Sequence, residues 1–180
     1  MHRLFVALRP PPAIRDALID TMDGVLPARW QDDEQLHLTL RFIGSVDRPV
    51  AEDVALALST LSAHAPTVTL SGVGRFEQRG RTGALWAGVA PHDALAAIHR
   101  KVDQAMIRVG LEPEHRAFLP HITLARLSRG AQAEMEVAAW LARHAALTSE
   151  RFAFSHLILY ESHLGQAGAS YEPIARWPLA

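Results

Sequence analysis

Histidine, an apolar residue, threonine and a second apolar residue occur in that order twice, as His37-Leu38-Thr39-Leu40 and His121-Ile122-Thr123-Leu124. Side chains on a strand alternate between faces, so each copy puts an imidazole beside a hydroxyl and turns its aliphatic residues the other way. Two such strands facing one pocket would supply two proton-transfer groups and two hydroxyl donors. In-line displacement at phosphorus needs that set: a base on the attacking oxygen, an acid on the leaving oxygen, and donors for the non-bridging oxygens. Histidine titrates close to neutral pH, and the chain holds ten of them.

The elements around the two copies repeat as well. Residues 3–8 (RLFVAL) read as a strand stopped by Pro10, Pro11 and Pro12. Ile14, Leu18, Met22 and Val25 mark one helical face. A strand follows over 36–42, then a helix through Val50, Val54, Leu58 and Leu61 that opens at Pro49. The strand at 67–76 carries Gly72 and Gly74, which suggest a bulge or a close backbone approach. The same order then returns. A strand covers 84–89, a helix runs through Leu95, Ile98, Val102, Met106 and Val109, and the second motif strand covers 121–126. A helix at 132–145 and a strand at 151–160 close the second set, with a glycine-rich loop at 165–170 and a short strand at 171–177 after it. Corresponding elements, motifs included, are displaced by 81–84 residues. A fixed offset is the mark of an internal duplication. The expectation is an α+β protein made of a duplicated β-α-β-α-β unit: two pseudo-twofold-related lobes, residues 1–80 and 81–180, with antiparallel sheets around a central cleft, in a single domain. Residues 77–83 read as a tight turn rather than a linker.

Composition narrows the function classes. Zero cysteine excludes disulfides, thiolate metal sites and a cysteine nucleophile. No apolar run nears the roughly 20 residues of a membrane helix, and the N-terminus lacks a signal-peptide pattern, so a cytoplasmic protein is expected. The formal net charge of −1 argues against wrapping duplex nucleic acid but not against gripping one phosphate at a strand end.

The paired motifs resemble those of the two-histidine phosphoesterases and, more narrowly, of the RNA 2',3'-cyclic phosphodiesterases, also called 2'-5' RNA ligases. The resemblance runs from the opening RLFVAL through HLTLRFIG and FLPHITLAR to the closing YEPIARWPL. It implies a substrate RNA end closed as a 2',3'-cyclic phosphate, with His37 as proton donor to the leaving 3' oxygen and His121 as the acceptor that activates water. The product would be a 2'-phosphomonoester, and reversal would join ends through a 2'-5' linkage. Thr39 and Thr123 would hold phosphate oxygens; no metal and no cofactor are implied, and a monomer is expected. Which histidine is acid rests on the resemblance alone.

Arg126 matches the arginine that follows the second motif in that family, where a guanidinium would stabilise charge at phosphorus. Strand parity places it with Ile122 and Leu124, away from His121, so a bulge or the strand's end must bring it round. Arg41 shares the His37 face by parity; a solvated strand-end charge is the default there, a phosphate contact the alternative. Arg116 and Phe118 are candidates for the cleft wall. Phe5 and Trp86 hold equivalent places in the two first strands, where core packing is expected over base stacking. Arg75, Arg79 and Arg81 mark a hairpin tip that could touch RNA backbone. The other eight histidines read as structural or solvated, His92 and His99 on an exposed helix face. Two other functions keep the same pocket: a cyclic phosphodiesterase of small nucleotides, and a non-catalytic RNA-end binding module.

Overall fold

A computed structural model describes residues 1–180. The elements are β1 (His2–Leu8), α1 (Pro12–Ile19), β2 (Arg29–Trp30), a 3-10 turn (Asp33–Gln35), β3 (Leu38–Val46), α2 (Arg48–Ser59), β4 (Thr67–Gln78), β5 (Arg81–Ala90), α3 (His92–Val109), β6 (His121–Arg126), α4 (Glu134–His144), β7 (Phe152–Ala153), β8 (His156–Gly165) and β9 (Gly168–Pro178). Local chemistry sets the boundaries. Pro12 opens α1 at a position where its missing N–H costs nothing. Asp47 caps α2 by accepting from the Val50 amide at 3.1 Å.

All strands are antiparallel, in the order β7-β4-β5-β6-β3-β1-β8-β9, with β2 added against β6. The third long strand of each chain half crosses to the other half of the sheet: β4 pairs with β5, and β8 with β1. Each half of the sheet therefore draws on both halves of the chain. The two meet at β3 and β6, joined by one partner pair, Leu38 and Ile122.

Alternate residues of these strands enter a single core with the helices. Leu4, Val6 and Leu8 of β1 and Leu38 and Leu40 of β3 pack with Leu18, Val54, Leu95, Val102 and Trp140 from α1–α4. Burying each such side chain stabilises the fold by about 1.5–3 kcal/mol. The helices thus cover one face of the sheet. The other face carries a separate small cluster, Phe5, Ala7, Ile158 and Tyr160, with Tyr171 packed against it.

Several elements differ from expectation. The first helix ends at Ile19, and Val25 reaches the core from the following loop. The strand expected over 151–160 breaks into β7 and β8, and the glycine-rich stretch is the turn of the long β8–β9 hairpin. Neither β2 nor the 3-10 turn has a periodic signal in the sequence. Gly72 does sit at a bulge, where the β4–β5 ladder shifts between Leu70 and Val73, while Gly74 lies past it, paired with Trp86. A Cβ on Gly74 would lie 2.2 Å from the Trp86 ring, so glycine is what lets that indole lie flat on β4.

Candidate active site

Both histidines occupy the face that the helices leave open. Antiparallel pairing of Leu38 with Ile122 sets His37 and Thr39 beside Thr123 and His121 across the junction of the two half-sheets. Diagonal neighbours in such a pairing lie roughly 7–8 Å apart. The two imidazoles are oriented alike: His37 Nδ1 donates to the Gln35 carbonyl at 2.7 Å, and His121 Nδ1 to the Leu119 carbonyl at 2.6 Å. A carbonyl only accepts, so Nδ1 carries the proton in both neutral rings and Nε2 keeps its lone pair. At His37 that lone pair accepts from the Thr39 hydroxyl at 3.1 Å.

Different walls surround the two rings. Phe5, Tyr171 and Tyr160 lie 4.9, 5.1 and 5.9 Å from the His37 ring, centroid to centroid. His121 has Phe76 at 4.9 Å and Trp86 at 6.1 Å. Burial is the main reason that both are hard to protonate. It pushes His37 down to about 4 from an ordinary 6.5, with Arg126 and His121 adding to the effect against the pull of the Gln35 carbonyl. His121 is lowered too, by burial first and by Arg126. The charge of Arg126 therefore acts on both rings.

A bulge explains how Arg126 gets there. The β5–β6 ladder pairs Trp86 with Thr123 and Leu85 with Ala125, leaving Leu124 as an extra residue. Parity inverts beyond it, so Ala125 turns inward and Arg126 comes out on the histidine face. The same bulge recurs in β3, where Val6 pairs with Arg41, Ala7 with Thr39, and Leu40 is extra. Phe42 is thereby 51% exposed, its ring 6.1 Å from Phe5 on the histidine side. The counterpart of Arg126 is therefore Phe42.

This corrects the reading of Arg41, which is only 7% exposed and points to the helix side. Its Nε lies 2.7 Å from Asp103 Oδ1, and it also donates to the carbonyls of Phe42 and Glu112. Its guanidinium is committed to these partners behind the sheet and does not sit in solvent. Phe118 also turns from the cleft: it stacks on His99 at 4.3 Å, and His99 Nδ1 donates to the Leu40 carbonyl. His99 thus supports the motif strand from behind rather than facing solvent. Arg116 sits over the Phe42 ring at 5.9 Å. Arg75 is held by Glu77 and Glu134. Phe5 and Trp86 pack, as expected, but against the histidines.

Gln35, Tyr160 and Tyr171 carry no signal in the sequence. Gln35 both bonds His37 through its carbonyl and ties this turn to the β8–β9 hairpin, donating from Nε2 to the Ala169 carbonyl at 2.6 Å. Asp33, at the start of the same turn, accepts from Arg9 and Arg15 at 2.9 Å each. The carbonyl that holds His37 is thus itself anchored. One group of metal-ligand type, Glu161, His163 and Glu172, lies on the opposite face of the sheet. Its members have partners already: His163 meets Glu172 at 3.1 Å, and Glu161 turns to His2, outside the group, at 2.9 Å. A wide depression between the β4–β5 turn and α4, lined by Gly80, Arg81, Ala133 and Glu134, contains neither histidine.

Residues 10–166 match the sequence profile of the 2'-5' RNA ligase superfamily. The chain belongs to that superfamily. Among its relatives is an RNA 2',3'-cyclic phosphodiesterase of Aeropyrum pernix, 36% identical over 63% of this chain and 64% of that protein. The one from Geobacillus stearothermophilus is 33% identical over 86% of this chain and 49% of its own. This superfamily member therefore spans less than two thirds of those two proteins. It aligns over 99% of its length, at 27% identity, with 97% of the Escherichia coli RNA 2',3'-cyclic phosphodiesterase. Crystalline E. coli LigT complexed with 3'-AMP has a TM-score of 0.76 at 26% identity, covering 99% of this chain and 98% of that one. A Thermus thermophilus protein, TT0787, shares the fold, with a TM-score of 0.80 at 23% identity over 98% of this chain and 97% of its own. No helix of the superfamily member is long and apolar enough to cross a membrane.

Proposed function

We propose that the protein hydrolyses RNA 2',3'-cyclic phosphate ends to 2'-phosphomonoesters. One observation carries the reading: two imidazoles, one from each motif, fix Nδ1 on a backbone carbonyl and turn Nε2 to the same face, where that of His37 meets only the Thr39 hydroxyl. Binding a phosphate needs no such pair, whereas proton transfer on two sides of phosphorus does. The names of the relatives support the substrate.

Water attacks phosphorus and loses its proton to His121 Nε2; the bond from phosphorus to the 3' oxygen breaks, and that oxygen takes a proton from His37 Nε2. His121 suits its part, being neutral with a free lone pair at pH 7. His37 must first be protonated, and in the empty site burial opposes this. The anionic phosphodiester supplies the missing counter-charge and raises the His37 pKa when it binds. The hydroxyls of Thr39 and Thr123 and the Arg126 guanidinium then stabilise the non-bridging oxygens as their charge grows. Without water in the pocket, a 5'-hydroxyl taking its place would give the reverse 2'-5' ligation. No step uses a metal, so chelator leaves the rate unchanged.

The test is product analysis on an oligoribonucleotide with a 2',3'-cyclic end. A 2'-phosphate is expected; a 3'-phosphate would mean that the leaving group is the 2' oxygen and would reverse the assignment.

A further inference from the structure

The short strand β2 pairs with the end of β6, and its register sets Arg29 directly opposite Arg126. Like charges in directly opposed positions destabilise a sheet. Both side chains are exposed, and neither forms an ion pair with a carboxylate that would relieve the repulsion. Partners in such a pair share a face, so Arg29 lies with Arg126 on the histidine side.

The position of Arg29 is also fixed from the other direction. Its guanidinium lies against the turn of the β8–β9 hairpin, where a Cβ on Gly168 would come within 2.9 Å of Nη1. The adjacent Ala169 carbonyl is the group that Gln35 holds, and the Gln35 carbonyl holds His37. Arg29 therefore stands between the Arg126 side of the cleft and the hairpin that walls His37. Two arginines opposed across a strand pair on one face, with donors not committed to any carboxylate, form a site for two neighbouring anionic groups.

We infer that Arg29 binds the internucleotide phosphate next to the cyclic end, so that the site selects oligonucleotide ends over 2',3'-cyclic mononucleotides. The inference rests on the proposed hydrolysis, in which Arg126 serves the reacting phosphate. A mononucleotide offers only that one phosphate and gains nothing from the second cation. A dinucleotide with a cyclic end offers both.

The experiment compares kcat/KM for adenosine 2',3'-cyclic phosphate and for an adenylyl dinucleotide ending in the same cyclic phosphate, with wild type, Arg29→Gln and Arg29→Lys. Loss of one charge-assisted hydrogen bond predicts that Arg29→Gln lowers kcat/KM about tenfold more for the dinucleotide than for the mononucleotide, mainly through KM. The dependence of log kcat/KM on log salt should lose about one charge's worth of slope for the dinucleotide. Arg29→Lys should restore part of the difference. Equal losses on both substrates would put Arg29 at the reacting phosphate instead, and no loss on either would leave it without a ligand; both overturn the inference alone. Failure of the wild type to turn over either substrate would remove the hydrolytic reading itself and this inference with it.

Discussion

Burial of His37 has a thermodynamic consequence that can be measured without any substrate. The folded chain holds this ring near a pKa of about 4, whereas the unfolded chain returns it to about 6.5. The folded pKa is the lower of the two, so protons bind the unfolded state more readily as pH falls. Stability from this group is intact above 6.5 and is lost on descent towards 4. At pH 4.5 the linkage amounts to about 2.5 kcal/mol, and at pH 7.5 to almost nothing. Substituting Gln keeps an N–H to donate to the Gln35 carbonyl and removes the titration. Urea denaturation of wild type and His37→Gln at both pH values isolates the effect, because burial is its largest cause and His121 is the one titrating group coupled to this ring. The wild type should lose about 2.5 kcal/mol more than the variant between pH 7.5 and 4.5. Equal losses would show that the ring is not desolvated, and that Phe5, Tyr160 and Tyr171 do not wall it off from water.

The remaining predictions concern turnover and the support of the site. Because both histidines are lowered from 6.5, the bell of kcat/KM against pH should peak below that value and fall tenfold per unit on its alkaline side; a peak above 7 would contradict the lowered pair. His37→Ala and His121→Ala should each cut kcat by about 10²–10⁴, and the Thr39→Ala and Thr123→Ala variants by less, in single-turnover assays. Asp103→Ala strands the buried Arg41 charge and should cost about 3 kcal/mol in urea unfolding while kcat/KM stays within twofold; a loss confined to KM would restore Arg41 to the substrate.

Much of this site can be read from the chain. The offset of 84 residues between His37 and His121 survives as the relation between β3 and β6, and residues 121–126 form a strand with the bounds expected. Period and spacing do not specify which strands pair, so the exchange of β4 and β8 between the half-sheets leaves no trace in the pattern. Parity is the weaker guide. The sequence requires a bulge to bring Arg126 to His121, and the duplication carries the same bulge into β3, where it buries Arg41 and exposes Phe42. Applying the offset to the bulge as well as to the motif places all three residues correctly. Arg29 is illegible for another reason: a two-residue strand has no periodicity, and its meaning comes only from its partner. Gln35 acts through its carbonyl, a group every residue has.

The central claim is that both imidazoles serve one phosphorus atom. It is tested most directly by ¹⁵N spectra of the two rings during titration with adenosine 2'-monophosphate, the proposed product. The Nε2 resonances of His37 and His121 should shift together with one dissociation constant, and both pKa values should rise. Movement of a single ring, or two rings responding at different ligand concentrations, would contradict the claim.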